Sequence, residues 1–567
     1  MKKKIFIGVA WPYVNGDLHV GHLAGYLLPA DICARYNKLV GNDVLMVSGS
    51  DCFGTPITIE AEKRNKHPSQ IIEEYHEKDV QLFKKILNLS YDVYTKTATE
   101  QHIKVVQDFF IKLLENGYIF VDKSLQYYSE SEKRFLPDRY VIGECPHCGF
   151  KDARSDQCDS CGRVLNQGEL INPISDISKT SVGLQETKHY FIDWPKLQPK
   201  IHEYVNSYSP SWKEWVRSES IGWLKEGLKP RAITRDIDWG VPIPTDRIPP
   251  GMRIDNIDDK RIYVWFDAVI GYFSASLLWS EQTHKDWKDF WYNKDAKHYY
   301  FMGKDNLIFH TIFWPGQLIG YDPDLHLPDL PSINMFLDLE GKKFSKSRGI
   351  VIEIKDLVEK FGNDRVRFYL TAIMPEKRDS SFSWNDFRDK VNGVLIANIG
   401  NFIHRTLSVG YSHSFTETST QEIYPNVSEE VRQAFKQSRA YLETCEFRSY
   451  LDVIVKLASF GNKLCAEEHI WDLHKNDVKH FNTVMSNLYF IIGSLGYLIN
   501  PLMPEASLRL FNMIYGTPFD SANIAWPTAI DEKFIAEVVS FKLTNKPSPL
   551  FSKIEEEDIV NFGGTQN

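Results

Sequence analysis

KIFIGVAWPYVNGDLHVGH, at residues 4–22, joins an apolar run to a loop and to the start of a helical pattern. Residues 3–10 predict a fully buried strand, and the apolar periodicity of residues 20–38 predicts a helix. A second strand is predicted at 44–48. A strand, a glycine-containing loop, a helix and a strand open a doubly wound α/β sheet, in which ligands bind beyond the carboxyl ends of the strands. Asp51 lies at such an end.

The composition is that of a globular protein with several domains: 567 residues, of which 43% are hydrophobic and 25% charged. At about 100–200 residues per domain, this length predicts three or four domains. The net charge of −9 argues against general coating of nucleic acid, which needs an excess of basic residues. Any nucleic-acid partner therefore has to meet local basic patches.

The sequence predicts neither export nor a membrane span. Its first apolar run ends at Trp11-Pro12 without the small-residue cleavage site of a signal peptide. The longest apolar stretches fall short of the roughly 18 residues that a membrane helix needs. Eight cysteines are too few for a disulfide scaffold. We therefore expect a cytoplasmic protein with no membrane contact.

Changes of pattern along the chain predict an α/β protein that ends in an all-α part. The expected parts are a split Rossmann-type catalytic domain with a parallel sheet at 1–117 and 226–332, an insertion with a cysteine cluster at 118–225, a segment with a basic loop at 333–383, a helical bundle at 384–535 and a polar tail at 536–567. The parallel α/β pattern is expected to return after the insertion with a strand at 261–266.

Two histidines, His19 and His22, follow the first predicted strand in a His-x-Gly-His pattern. Residues three apart share one face of a helix, so both imidazoles can face one ligand, and Gly21 leaves room for a nucleotide against the backbone. The start of a helix adds N–H donors and a positive dipole end, which suits a polyphosphate. Two helical histidines are also common as solvated or buried side chains, so the pattern alone leaves both interpretations open.

A basic run, KKFSKSR at 342–348, carries four cations in seven residues and has a glycine on each side. Such a loop can close its lysines over phosphates and stabilise the charge that develops at phosphorus. A solvated surface loop is the alternative interpretation.

Four cysteines form two Cys-x-x-Cys pairs within a predicted knuckle at about 145–162; they are Cys145, Cys148, Cys158 and Cys161. Four thiolates suit tetrahedral Zn²⁺, and a complete Cys₄ shell leaves no open position for catalysis. One structural zinc ion is therefore predicted. Two redox pairs or reduced free thiols are the alternatives.

Together, His-x-Gly-His at 19–22 and Lys-Phe-Ser-Lys-Ser at 343–347 resemble the paired signatures of class I aminoacyl-tRNA synthetases. The second signature departs from the usual Lys-Met-Ser-Lys-Ser only at Phe344, which is also apolar. Within the class, the chain resembles the methionyl-tRNA synthetase family from residue 5 to about 515. The segments that carry this resemblance are WPYVNGDLHVGH at 11–22, SDCFGTP at 50–56, FLPDR at 135–139, YVWFDA at 263–268 and FMGKDN at 301–306.

The resemblance implies an ATP-dependent ligase that joins methionine to tRNA(Met) through methionyl-adenylate. Its catalytic residues would be His19, His22, Lys343 and Lys346, which stabilise the pentacoordinate phosphate by charge and hydrogen bonds. Its ATP-binding residues would be His19, Gly21, His22, Lys346 and Asp305. Mg²⁺ is expected to arrive with ATP, without a dedicated protein cage. For Asp305, a cap on a helix at 306–318 is an equal alternative.

The methionine site implied by the resemblance has aromatic walls, because sulfur–ring contacts contribute about 0.3–1.5 kcal/mol each. Its residues would be Tyr13, Trp265, Ala268, Tyr272 and His310, with Asp51 holding the α-ammonium group. A plain aromatic core is the alternative for Trp265 and Tyr272. Trp11 and Val269 stand where relatives often carry Leu and Pro, so the detailed shape of the pocket stays open.

The helical region from residue 384 resembles the anticodon-binding bundle of the family, and 333–383 its stem-contact segment. Trp471 is expected to stack on an anticodon base with Arg405 as its cationic companion. Core packing is the alternative for Trp471. The family sometimes carries a further C-terminal domain that mediates dimerisation, and this chain ends soon after its bundle, so a monomer is expected.

Three other functions fit parts of the sequence. An isoleucyl, valyl or leucyl enzyme needs a large editing insertion, because a hydrophobic pocket discriminates one methylene by only about 1–3 kcal/mol, and 118–225 is too short for one. A small-molecule nucleotidyltransferase with His-x-Gly-His leaves the bundle and Trp471 unexplained. A zinc-containing RNA-binding module without turnover leaves the histidines and lysines of both signatures unexplained.

Overall fold

A computed structural model describes residues 2–155, 158, 160–161, 163, 165, 168–342, 351–417, 422–516 and 518–564. Within these ranges, every helix is too short or too polar to cross a lipid bilayer.

A five-stranded parallel sheet forms the centre of the first part of the chain. Its strands are β1 (Lys4–Val9), β2 (Asp43–Ser50), β3 (Val93–Lys96), β4 (Lys297–Gly303) and β5 (Leu330–Asn334). They lie in the order β5-β4-β1-β2-β3, so β1 pairs in parallel with β2 on one side and with β4 on the other. A long insertion separates β3 from β4, which confirms the predicted split Rossmann-type fold.

Helices pack against this sheet. The first runs from Val20 to Val40 with a π-helical turn at Leu23–Leu27, and it ends at Gly41, whose φ of 87° only glycine adopts readily. The other helices around the sheet are Thr55–Lys63, Pro68–Gln81, Glu100–Glu115, Trp194–Tyr208, Glu214–Glu226, Gly271–Thr283 and Trp314–Tyr321.

The insertion is antiparallel. Its long ribbon pairs Ile119–Ser129 with Gly183–Ile192, and the short strands Arg134–Phe135 and Arg231–Ala232 extend the ribbon to four strands. Beside the ribbon lies a three-stranded sheet of Val141–Glu144, Ala153–Arg154 and Ile171–Ser175. The hydroxyl of Tyr140 donates to Oγ1 of Thr58 at 2.8 Å, which joins the insertion to the Thr55–Lys63 helix.

The strand predicted at 261–266 is wrong. Only Arg261–Ile262 is a strand, and it pairs antiparallel with Thr234–Arg235 and Val241–Pro242 in a separate sheet. Val264–Asp267 is helical. A short apolar run is compatible with a buried strand and with a buried helical turn. A run of six residues is too short for its length to distinguish the two.

The segment after β5 contains the parallel strand pair Leu337–Leu339 and Ser380–Phe382 and the helices Ile354–Phe361 and Asn363–Ala372. The all-α part that follows confirms the predicted bundle. Its helices are Trp384–Lys390, continued by a π-helical stretch at Val391–Gly400, then Asn401–Ser412, Pro425–Glu443, Phe447–Glu467, Ile470–Asn476, Val478–Ile499, Pro504–Tyr515, Glu532–Val539 and Glu556–Gly564.

A buried ion pair joins three parts of the chain. Nη1 of Arg367 lies 2.7 Å from Oδ2 of Asp31 in the first helix, and both side chains are fully buried. The same guanidinium donates to the carbonyls of Leu502 (2.6 Å) and Pro501 (3.0 Å) in the bundle. Burial by itself raises the pKa of Asp31, but Arg35 and Arg367 hold it at about 2, so this carboxylate is charged.

Replacing Arg367 by Met should destabilise the protein by about 3 kcal/mol, the lower end for a broken buried ion pair, because Asp31 keeps only Arg35 and the carbonyls of Pro501 and Leu502 lose their buried donor. The matched control is Arg432→Met, which breaks an exposed ion pair with Glu429 and should cost less than about 1 kcal/mol. Chemical denaturation measures both. Equal denaturation midpoints for the two variants would contradict the structural role of Arg367.

Candidate active site

A cavity of about 430 Å³ opens at the carboxyl edge of the central sheet. Its lining includes residues 10–13 after β1, Asp51 after β2, Gly303, Asp305 and Asn306 at the end of β4, and 335–338 beyond β5. Parallel strands end at one edge, so residues far apart in the sequence meet here. Of the predicted site residues, the cavity brings together His19, Gly21, His22, Asp305, Tyr13, Asp51, Trp265, Ala268, Tyr272 and His310.

The side chains of the two histidines both accept backbone hydrogen bonds at the start of the first helix. Nδ1 of His19 accepts from the N–H of Gly21, and Nδ1 of His22 accepts from the N–H of His19, both at 3.1 Å. Because each Nδ1 is an acceptor, each neutral ring carries its proton on Nε2. The rings lie 4.0 Å apart between centroids. The pair can therefore present two N–H donors to one anionic group.

Aromatic rings form one end of the cavity wall, where Tyr13 and Trp265 meet. Trp265 stacks on Phe309 at a centroid distance of 4.1 Å and meets Tyr13 edge-on at 6.3 Å. Gly54 makes room for Tyr13, because a Cβ at Gly54 would lie 2.2 Å from the Tyr13 ring. This end of the cavity suits an apolar, polarisable side chain such as a thioether.

Tyr272 and His310 add a polar contact inside this aromatic wall. Nδ1 of His310 donates to the carbonyl of Asn306 at 3.0 Å, so its Nε2 accepts from the Tyr272 hydroxyl at 2.7 Å. Burial lowers the pKa of His310 to about 4, which keeps the imidazole neutral. The two side chains hold each other in place without adding a charge to the wall.

Asp51 is the acidic group of the cavity that follows β2. It directly follows β2, forms a backbone bridge with Tyr13, and is 3% exposed. Burial raises its pKa to about 8, although the N–H of Phe53 donates to Oδ1 at 3.4 Å and opposes the rise. A cation such as an ammonium group would favour the ionised carboxylate.

Asp305 lies at the cavity in the short helical turn Lys304–Asn306, and burial raises the pKa of its carboxyl group. The helix that the sequence predicts at 306–318 is confirmed; it contains a π-helical turn at Phe309–Phe313 and continues without a break as the Trp314–Tyr321 helix.

Lys343 and Lys346 lie outside the described residues, but both ends of their run are described. Lys342 closes a two-residue turn with Leu339, with backbone hydrogen bonds of 2.8 Å in both directions. On the far side of the run, the carbonyl of Ile352 accepts from the N–H of Val20 at 3.1 Å, and Glu353 forms a bridge with His19. The described residues before the run are therefore bonded to Leu339, next to the cavity residue Asp338, and those after it are bonded to the histidine segment.

Several cavity residues escaped the sequence-based prediction. Tyr26 stands one helical turn after His22, and this i,i+4 spacing could have indicated it. Met335 and Phe336 follow the last parallel strand, a position that is typical of ligand sites. Phe309 does not line the cavity but supports Trp265 from behind, and this stacking depends on the tertiary structure alone.

The four cysteines of the insertion converge. Their Sγ atoms all lie within 4.8 Å of one another, with 3.9 Å between Cys145 and Cys161 and 3.7 Å between Cys148 and Cys158. Tetrahedral Zn–S bonds of about 2.3 Å put thiolates about 3.8 Å apart, so this donor set can hold one metal ion. Gly149, with a φ of 73°, provides the left-handed turn after the first pair.

In the bundle, Trp471 and Arg405 are neighbours. The Arg405 guanidinium lies 4.9 Å from the centroid of the Trp471 ring, and Trp471 is 45% exposed. An exposed indole beside a cation has the composition of a stacking platform for unpaired bases.

Family models match most of the chain. Residues 5–407 match "tRNA synthetases class I (M)", and residues 416–566 match "Anticodon binding domain of methionyl tRNA ligase". The methionine–tRNA ligase of Roseiflexus castenholzii is 40% identical over 99% of this chain and 98% of its own length. That of Thermoplasma volcanium is 39% identical over 90% of this chain and 92% of its own length.

Solved structures share the fold. Mycobacterium tuberculosis methionyl-tRNA synthetase in complex with methionyl-adenylate superposes with a TM-score of 0.77 at 22% identity, covering 98% of this chain and all of that one.

The raised pKa of Asp51 predicts that binding of methionine, the ligand expected from the sequence, depends on pH. Burial favours the protonated form of Asp51 in the ligand-free cavity, whereas the α-ammonium contact that the sequence predicts needs the carboxylate, so binding should release a proton. The dissociation constant should rise by up to about tenfold for each pH unit below 8. Titration calorimetry in buffers of different ionisation enthalpy measures both quantities.

The control for this experiment is Asp51→Asn, which should bind methionine weakly and without proton release at any pH. Equal affinities of the unaltered protein at pH 6 and at pH 8 would refute the assignment of Asp51 to the ammonium group.

Proposed function

The chain belongs to the methionyl-tRNA synthetase family, and from this premise we propose the reaction steps and residue roles that follow. Its activity is that of a methionine–tRNA ligase, an ATP-dependent aminoacyl-tRNA ligase of class I. The family predicted from the two sequence signatures is thereby confirmed.

One observation carries the proposed mechanism: the segment that follows the lysine run returns to the histidine segment. Ile352 and Glu353 bond to Val20 and His19, and the same histidine segment lines the cavity that contains Asp51. This arrangement supports a single site in which the histidine pair and the lysines face one triphosphate while methionine occupies the aromatic end.

In the first step, a carboxylate oxygen of methionine attacks the α-phosphorus of ATP, the bond to the bridging oxygen breaks, and pyrophosphate leaves. His19 and His22 would donate from Nε2 to phosphate oxygens, and Lys343 and Lys346 would add positive charge as the pentacoordinate state forms. Gly21 and Asp305 would complete the ATP site, and Mg²⁺ would arrive with ATP.

The amino acid would be held at both of its ends during this step. Asp51 would bind the α-ammonium group, and the thioether would lie among aromatic and imidazole side chains. These methionine-binding residues are Tyr13, Trp265, Ala268, Tyr272 and His310. The close packing of these side chains supports selection of methionine by shape. The methionine side chain has no strong hydrogen-bonding group, so shape has to distinguish it from other side chains.

In the second step, a ribose hydroxyl of the terminal adenosine of tRNA(Met) attacks the carbonyl carbon of methionyl-adenylate, and AMP leaves. Trp471 would stack on an anticodon base and Arg405 would contact it as a cation. The exposure of Trp471 supports stacking over core packing.

The remaining parts of the proposal concern the metal and the setting. Cys145, Cys148, Cys158 and Cys161 would hold one structural Zn²⁺, which takes no part in the chemistry. The enzyme would act as a cytoplasmic monomer. Of the five parts predicted along the chain, the bundle would bind the anticodon and residues 333–383 would contact the tRNA stem.

ATP–pyrophosphate exchange tested with all twenty amino acids should show exchange with methionine alone. His22→Ala should lower kcat about 10²–10³-fold, because it removes a donor aimed at the charge that develops on phosphate. The matched control, His413→Ala, changes a histidine of the bundle that packs on His474 and should stay within twofold. Exchange with another amino acid, or equal rates for both variants, would contradict the proposed mechanism.

Elemental analysis should find one zinc ion per chain, and the variant with Cys145→Ser and Cys158→Ser should lose it, because two ligands cannot complete a tetrahedral shell. Cys465→Ser, a buried cysteine of the bundle, should keep the full zinc content. The same zinc content in both variants would overturn the metal site.

A further inference from the structure

Glu376 is a buried carboxylate that none of the roles above uses. It is 4% exposed, and its Oε1 accepts from the backbone N–H groups of Phe447 (2.6 Å) and Arg448 (3.2 Å). These are the first two residues of the Phe447–Glu467 helix of the bundle. The N–H groups of a first helical turn have no partner within their own helix, and a negative charge at this end is favourable.

The Phe447–Glu467 helix has no side-chain cap of its own. Glu446 occupies its N-cap position but makes no side-chain bond to the first turn, and its carboxylate instead accepts from the Thr444 hydroxyl at 3.0 Å. The cap is supplied by Glu376, 71 positions earlier in the chain. The start of the helix therefore depends on a residue from a different part of the fold.

The segment that carries Glu376 also holds the wall of the active-site cavity. The carbonyl of Pro375 accepts from the N–H of Met335 at 2.8 Å. Oδ1 of Asp379 accepts from the N–H of Phe336 at 2.8 Å and from Nζ of Lys304 at 2.9 Å. Met335 and Phe336 line the cavity. Within five residues, this segment bonds to both the helix and the cavity.

The other end of the helix lies near the proposed anticodon contact. The helix has 21 residues and ends at Glu467, four positions before Trp471. An α-helix of this length spans about 30 Å, so this one helix reaches from the N–H groups that Glu376 holds to the neighbourhood of Trp471.

We infer that Glu376 is a positioning residue that couples the Phe447–Glu467 helix to the cavity wall, so that the anticodon affects the rate of transfer to tRNA. The inference rests on the proposed ligase function. Glu376 contacts no substrate; it acts through Met335 and Phe336. Its role concerns the charging of tRNA and not the activation of methionine, which needs no anticodon.

The experiment compares the unaltered enzyme with Glu376→Ala and Glu376→Asp. Glu376→Ala removes the acceptor. Glu376→Asp keeps the charge but places the oxygen one methylene farther from the N–H groups. Two different changes are used so that at least one of the variants should fold. Glu376→Gln keeps a carbonyl oxygen that can accept both N–H groups and should restore coupling. Glu446→Ala is the matched control, because it removes a carboxylate at the same helix end that caps nothing.

Three rates are measured for each variant: methionine-dependent ATP–pyrophosphate exchange, charging of tRNA(Met), and charging of the same tRNA with an altered anticodon. Glu376→Ala and Glu376→Asp should keep exchange within about twofold and lose about fivefold or more in kcat for tRNA(Met), the lower range of a typical coupling. In these variants, the altered anticodon should change the KM for the tRNA in the charging reaction but should no longer change kcat.

A purely structural cap would lower exchange and charging together and leave the anticodon effect on kcat intact, and that result would overturn the inference. So would unchanged kcat in Glu376→Asp, or a loss in Glu446→Ala equal to that in Glu376→Ala. Failure of the proposed function is a separate result, because the unaltered enzyme would then show no methionine-dependent exchange.

Discussion

Parallel pairing of β1 with β2 on one side and with β4 on the other is the constraint on which the site depends. The carboxyl ends of these strands face one edge, so Tyr13, Asp51 and Asp305 meet there although each comes from a different part of the chain. The strand order also reverses at β1, which opens a crevice at that edge. A shift of one residue in the β1 pairing would turn its buried side chains to the opposite face and displace the loops that carry the site.

The sequence predicts the outline of this arrangement well and its local details less well. The buried first strand, the histidine motif and the cysteine knuckle each show a local pattern with a physical meaning, and the structure brings the members of each motif together. The strand expected at 261–266 failed because a six-residue apolar run does not distinguish a strand from a helical turn. Contacts such as Phe309 on Trp265, or Glu376 at Phe447, join distant positions that no local pattern connects.

The structure uses buried carboxylates in two different ways. Asp31 is charged, because Arg35 and Arg367 surround it, and this ion pair joins the first helix, the 333–383 segment and the bundle. Among the described residues, no comparable cation contacts Asp51, and burial raises its pKa. The cost of burying a carboxylate is thus offset within the fold at Asp31, and under the proposed function the ammonium group of methionine would offset it at Asp51.

Under the proposed function, one cavity binds the phosphate end and the methionine end of the same intermediate. A crystal structure with a non-hydrolysable methionyl-adenylate analogue would show whether it does. The thioether should lie between Trp265 and His310, and the group replacing the phosphate should lie within hydrogen-bond distance of Nε2 of His19 or His22. An analogue bound outside this cavity, or with its adenylate end turned away from both histidines, would rule out a shared site.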